Sequence, residues 1–289
     1  MQRRLFIAGG GALAGLGLWR ARGLAAETLG LDPRADFALS GQLIQGGWAL
    51  GRAPLGSKAL SFNGREVRLA ADQAFLIAFD RDAAARADLL AELRDGSLIK
   101  GQIAIAPRSW KIEHIPLGPR PGAPPNEEYA RRREAETARI KAARLKDNAV
   151  GGWRQKFIYP AFGRISGRFG SQRIYNGVPG SYHSGMDIAT GSSGTPFVAP
   201  ADGVVILAAE SSFSLEGRLL MIDHGMGLNS AFLHCSAHAV KEGDAVKQGQ
   251  FIGRIGATGR ATGPHLHWSL KWRESRLDPL LFVGAMPQR

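Results

Sequence analysis

Residues 263–272 read G-P-H-L-H-W-S-L-K-W. In a strand, residues two apart share a face. His265, His267 and Ser269 therefore lie on one side, and Leu266, Trp268, Leu270 and Trp272 on the other. The second set is a core face, which leaves two imidazoles on the opposite face, where they are available for a metal or for proton transfer. The neighbouring sequence has the same texture. Val204–Leu207, Leu219–Ile222 and Phe251–Ile255 are short apolar runs between Asp-Gly, Gly-Met-Gly and Glu-Gly-Asp turns. The spacing predicts an all-β domain over residues 153–289, which holds six of the seven histidines.

A second cluster stands upstream. His183 and Asp187 are four residues apart in Y-H-S-G-M-D-I-A, residues 182–189. Two neutral imidazoles and one carboxylate make a three-ligand set for a catalytic Zn²⁺, with the fourth position left to water. Bound zinc lowers the pKa of such a water from about 16 to about 7 and polarises a carbonyl. One of His265 and His267 can ligate while the other moves a proton. His234, in A-F-L-H-C-S at 231–236, is a further acid–base candidate.

Four segments, in order and spacing, resemble the lysostaphin/LytM-type zinc metallopeptidases over about residues 160–275. They are H-S-G-M-D (183–187), F-L-H-C-S (232–236), V-K-E-G-D-A-V-K-Q-G-Q-F-I-G (240–253) and A-T-G-R-A-T-G-P-H-L-H-W (257–268). The resemblance implies a groove-bearing antiparallel β fold that cuts peptide bonds in bacterial peptidoglycan. It implies His183, Asp187 and His267 as ligands of one zinc ion, and His234 and His265 as the catalytic pair. All five residues are present, unlike in the family's degenerate regulators. A silent or autoinhibited wall-binding scaffold is the alternative. Phe232 stands where the family usually has tyrosine. A loop tyrosine before the first ligand often stabilises the oxyanion, and Tyr175 and Tyr182 are both candidates.

Upstream, residues 27–118 read as a small β-rich accessory domain. Strands are expected at 38–45, 67–70 and 74–79, while 80–94 admits strand or helix. Pro116, Pro119, Pro121, Pro124 and Pro125 then break regular structure. A helix over 127–147 follows, capped by Asn126, with Glu127 and Glu128 in its first turn and Lys141, Arg144 and Lys146 near its end. It lacks a broad apolar stripe, and within a 119–152 linker it reads as a solvated helix; a basic surface for wall polymers is the functional alternative.

Residues 1–26 read as a twin-arginine-like signal: Arg3 and Arg4, a glycine-broken apolar run, then Gly23, Ala25 and Ala26 as a cleavage site. Export to the periplasm is the expectation, with an uncleaved anchor as the other reading. Removing Arg3, Arg4, Arg20 and Arg22 takes the net charge from +12 to +8. That charge suits anionic wall polymers or membrane surfaces. No nucleic-acid motif is present. An exported Gram-negative enzyme would meet direct D-Ala–meso-diaminopimelate cross-links rather than glycine bridges. A monomer is the expected state.

The remaining candidates read as structural. His224 enters a glycine turn, and His114 and His238 have no partners nearby in sequence. Cys235 is the single cysteine, which excludes an intrachain disulfide, and it reads as a small buried hydrophobe. V-A-P-A-D-G-V-V resembles a lipoyl-carrier half-motif but supplies no attachment lysine at 201–203. A non-haem iron site would use H-x-D, whereas this chain has H-x-x-x-D.

Overall fold

Apolar alternation organises the C-terminal part into an eight-stranded antiparallel sheet. Its order is Ala245–Val246, Gly203–Ala208, Arg218–Asp223, Leu228–Cys235, Leu266–Trp272, Met186–Ala189 and Arg164–Gly167, with Ser275–Leu277 also paired to Leu266–Trp272. The computed structural model describes residues 37–116 and 126–287. The twin-arginine-like segment, the first residues of the accessory domain and the linker prolines 119, 121, 124 and 125 lie outside the described residues. Leu266, Trp268 and Leu270 are fully buried and Trp272 nearly so, as the alternation requires. Across the sheet Phe232, Trp268 and Met186 stand in register on this core face. The mainly β, antiparallel class follows from this pattern.

The upstream part is also β. Trp48–Arg52 pairs with Ala74–Ala78, and Ser57–Phe62 pairs with Arg86–Leu93, which in turn pairs with Leu98–Ala104. The open question at 80–94 resolves to a strand over Arg86–Leu93, because burial at Ala87, Leu89 and Ala91 repeats every second residue. Two expectations are corrected. Over 38–45 only Ser40–Gly41 is a strand, since Ala38 and Gly41 have positive φ. Residues 67–70 leave the ladder after a single backbone bond from Val67 to Leu60.

This part is packed onto the C-terminal sheet. Buried residues of 37–105 and 153–277 form one continuous core, within a compact unit spanning Asp32–Arg289. Phe62 meets Trp272 edge-on at 6.2 Å, and Arg108 donates to the buried Asp278 carboxylate at 2.8 Å. Ile112–Ile115 pairs in parallel with Gln172–Tyr175, just ahead of His183.

The helix spans Glu127–Arg144, slightly shorter than expected, and Asn126 Oδ1 accepts from the Tyr129 N–H at 2.8 Å. It is not free in solvent. Ala143 and Ile140 pack on Ile206, Leu207, Phe213, Leu219, Met221 and Ala231. The carboxylate of Glu136, only 6% exposed, accepts from Ser214, and Arg144 donates to Asn229. Docking rests on small residues and charge pairs, so an apolar stripe was not needed to produce it.

His224 sits at the centre of a buried relay. Trp268 Nε1 donates to Ser230 Oγ at 3.2 Å, Ser230 bonds His224 Nε2 at 2.8 Å, and His224 Nδ1 donates to the Asp202 carbonyl at 2.8 Å. Burial pushes this imidazole down to about 4, against 6.5 ordinarily. The unfolded chain therefore takes up the proton first as pH falls. The neutral ring's contribution is complete above pH 6.5 and declines toward pH 4, by about 3 kcal/mol at 1.36 kcal/mol per pKa unit. Asp223, raised by burial, works in the opposite sense, so the test is a difference measurement. In urea unfolding, the stability advantage of wild type over His224→Gln should shrink by about 3 kcal/mol between pH 7 and pH 4. A gap independent of pH would refute the assignment.

Candidate metal centre

Asp187 lies directly opposite His267 across the Met186–Ala189 and Leu266–Trp272 pair, so the two side chains share the face opposite the core. His183 arrives from the preceding turn, tied by its N–H to the Ser171 carbonyl at 2.8 Å. Its Nδ1 donates to the Arg168 carbonyl at 3.1 Å, which leaves the lone pair on Nε2. That Nε2 lies 3.1 Å from Asp187 Oδ1 and 3.1 Å from His267 Nδ1, and His267 Nδ1 lies 2.9 Å from the same Oδ1. The three ligand-type atoms are within 4.8 Å of one another.

This donor set fits a zinc ion: two imidazole nitrogens and one carboxylate oxygen converge on one point. Backbone without side chains makes the room. A Cβ on Gly167 would overlap the Asp187 carboxylate, and one on Gly185 would come within 2.6 Å of His267 Nε2. Burial alone would raise the Asp187 carboxyl, but the close approach of His183 and His267 holds it well below the usual carboxylate range. Burial lowers His267, which keeps its ring neutral as ligation requires.

His234 reaches the same place by a different route. Leu233 is the residue in register with His267, so regular alternation would send His234 to the core face. Instead His234 has φ +64°, beside a register shift between Arg218 and Leu220. The ring turns back and stands 4.9 Å from the His265 ring and 6.4 Å from that of His267. A non-glycine residue in this region carries roughly 1–2 kcal/mol of strain, retained where surrounding contacts fix it. His234 Nδ1 donates to the Thr258 carbonyl at 2.8 Å and His265 Nδ1 to the Gly263 carbonyl at 2.8 Å, so both present Nε2. Burial pushes His234 down to about 4, making it a neutral proton acceptor. His265 Nε2 lies 3.8 Å from Asp187 Oδ1.

All five expected residues thus converge. Tyr175 and Tyr182 both line the adjoining groove of about 870 Å³, with Arg168, Arg173 and Arg260. Both hydroxyls are engaged: Tyr182 donates to Asp80 at 3.4 Å, with Arg81 and Arg276 against its ring, and Tyr175 bonds the Arg173 side chain. Sequence reasoning missed Gly167, Thr258 and the groove residues from upstream. Of these, only Thr258 sat inside a quoted motif.

The other candidates lie elsewhere. His224 is the buried relay, and His114 is exposed on Ile112–Ile115. Cys235 is buried, its thiol pushed up to about 12 by burial. Phe232 packs its ring on Phe197 at 5.2 Å. His238 is half-buried and bonds the Arg218 backbone, while its Nε2 has no hydrogen-bond partner among the described residues.

Residues 181–279 match the family model described as peptidase family M23. The chain is 40% identical over 109 residues to the peptidoglycan DD-endopeptidase ShyC of Vibrio cholerae, covering 37% of this chain and 24% of that protein. It is 36% identical over 135 residues to the NlpD/LppB lipoprotein homologue of Pseudomonas aeruginosa, covering 47% and 41%. The chain thus spans less than half the length of these curated relatives. A solved Pseudomonas aeruginosa structure described as a peptidase M23 aligns with 85% of this chain and 96% of its own, at 26% identity and a TM-score of 0.63. With the fold and the convergent His and Asp side chains, these matches identify residues 181–279 as a peptidase family M23 domain of the lysostaphin/LytM type.

Proposed function

We propose that this chain is an exported zinc metalloendopeptidase that hydrolyses peptide cross-links of bacterial peptidoglycan. The observation that carries the reading is the convergence of His183, Asp187 and His267, with His234 and His265 presenting Nε2 beside them. When bound there, zinc supplies a Lewis acid that acidifies water and polarises the scissile carbonyl.

The chain's own groups do the rest. His183, Asp187 and His267 hold the ion. His234, kept neutral by burial, accepts the proton of the attacking water at Nε2. His265, fixed through Nδ1 with its ring 4.9 Å from that of His234, takes that proton at Nε2 and passes it on to the departing amine. The strand-edge glycines keep the ligands close. Tyr175 and Tyr182 both stand as candidates for the groove tyrosine, since each hydroxyl already has a partner, the Arg173 side chain and Asp80 respectively.

The groove's charge supports an anionic peptide substrate. Lys111 and Arg173 are both paired with Glu113, whereas Arg168 and Arg260 have no side-chain hydrogen bond or ion pair among the described residues. Directly cross-linked stem peptides carry free carboxylates beside the scissile amide, and pentaglycine carries none. D-Ala–meso-diaminopimelate endopeptidase activity is the reading this favours, in line with the name of the ShyC relative. Export rests on the sequence at 1–26, the +12 charge and the lipoprotein relative. No helix among the described residues is long and apolar enough to cross a membrane.

Purified protein incubated with isolated peptidoglycan should convert dimeric muropeptides to monomers, and a chelator should stop it. Release of whole stem peptides from the glycan would mean amidase chemistry instead. Asp187→Ala and His267→Ala should lose most zinc and activity together. His234→Ala and His265→Ala should keep near-stoichiometric zinc while turnover falls by roughly 10²–10⁴-fold. If His265→Ala loses zinc and His267→Ala keeps it, the two roles are reversed. Arg168→Ala and Arg260→Ala should raise KM on dimeric muropeptides several-fold while kcat holds, and unchanged KM in both would remove the carboxylate-binding assignment.

A further inference from the structure

We infer that the Glu127–Arg144 helix is a working part of the active site: Arg133 and Glu136 clamp the Ser214–Gly217 loop, and this loop holds His234 in its left-handed, site-facing conformation. The inference deepens the function proposed above and rests on His234 being an acid–base residue.

The helix lies on the same sheet face as the site. That face runs from Asp187 through His267, Leu233 and Ala231 to Met221, and the helix packs at its far end. Its first half has little apolar surface, yet it carries a dense charge network aimed at one loop. Arg133 grips Glu216 with both terminal nitrogens, at 2.6 and 2.7 Å. Such a two-pronged pairing fixes direction as well as distance. Glu136 accepts from Arg133 at 3.0 Å through one oxygen, and from the Ser214 N–H and Oγ at 2.7 and 2.9 Å through the other.

The clamped loop in turn holds His234 at two points. The Glu216 carbonyl accepts the His234 N–H at 2.8 Å, at the residue whose φ is positive. Next to it, Gly217 packs so tightly on Thr258 that a Cβ would collide. Thr258 Oγ1 accepts from the Arg218 N–H at 2.8 Å and donates to the Cys235 carbonyl at 2.9 Å. The Thr258 carbonyl then takes the His234 Nδ1 proton. Leu215 also accepts from the Arg260 N–H at 3.0 Å, which ties the loop to the groove. If the Glu216 carbonyl moves away, a right-handed His234 becomes the relaxed choice, and its ring leaves the site face. Arg133 and Glu136 touch no substrate, so they are positioning residues.

The test uses the zinc-loaded full-length chain with Arg133→Ala, and with the swapped pair Arg133→Glu plus Glu216→Arg. Arg133→Ala should lower kcat on dimeric muropeptides roughly tenfold or more, part of what a positioned acid–base group supplies. KM should stay within about twofold and zinc content should not change. The swapped pair should recover most of the loss. In ¹⁵N NMR, His234 should show a single Nδ1–H tautomer in wild type and a mixture in Arg133→Ala. Unaltered kcat per folded molecule with an unaltered His234 tautomer would overturn the inference. Should wild type prove inactive on peptidoglycan, the proposed function fails, but the NMR comparison still decides the clamp. Should Arg133→Ala not fold, Arg133→Lys, which keeps the charge without the two-pronged grip, carries the same readouts.

Discussion

Side chains of a β-sheet alternate with a period of two, so the pairing of Asp187 with His267 exists in one register only. A slip by a single residue would carry one of them to the core side and abolish the convergence with His183. What holds the register lies on the other face. Met186, Trp268 and Phe232 stand side by side across three strands, fully buried, the first two each one residue from a site position. Exposing Trp268 to slip the strand would forfeit a large apolar burial, on the order of 3 kcal/mol for the side chain alone. The core thus holds three charged and polar groups together that would otherwise repel or seek water. The convergence of the His and Asp side chains is a by-product of apolar packing one residue away.

Alternation explains why much of the site was readable without a structure. G-P-H-L-H-W-S-L-K-W separates a core face from a functional face by inspection, and both histidines lie where the pattern puts them. His234 stood as a further acid–base candidate by residue type, and the likeness of F-L-H-C-S to a known motif implied its catalytic role. Strand periodicity by itself misplaces it, because its left-handed backbone is imposed by Glu216 and Thr258, which are distant in sequence or act through carbonyls that no side-chain pattern reveals. Gly167 carried no local signal either. Its role is an absence of Cβ beside a carboxylate that comes twenty residues later in the chain.

The helix at 127–144 is the clearest case where a sound rule led to an incomplete picture. An apolar stripe is the usual sign that a helix is docked, and this helix has none. It is held instead by Arg133, Glu136 and Arg144 reaching partners at Glu216, Ser214 and Asn229, with Ala143 and Ile140 filling the contact. Carboxylates such as Glu136 tolerate low exposure only when they are paired and hydrogen-bonded, and here Arg133 and Ser214 supply three donors. Charge pairing of this kind depends on which residues face each other in space. Composition along one chain segment does not disclose it.

The groove adds a last consequence of how the parts are joined. The residues proposed to do chemistry, together with Arg260, all fall within 181–279, the stretch matched by the family model. The opposite wall does not. Lys111 and Glu113 come from the accessory strand Ile112–Ile115 and its edge, and Arg168, Arg173 and Tyr175 precede the matched stretch. Glu113 sits between Lys111 and Arg173 and neutralises much of their charge, so the groove guanidiniums without a side-chain partner among the described residues are Arg168 and Arg260. An ion pair at the surface contributes little to stability, yet it decides which cations remain for a ligand. On this geometry the residues proposed to do chemistry lie within the matched stretch, while the groove beside them is lined partly by the segment that pairs with the Gln172–Tyr175 strand.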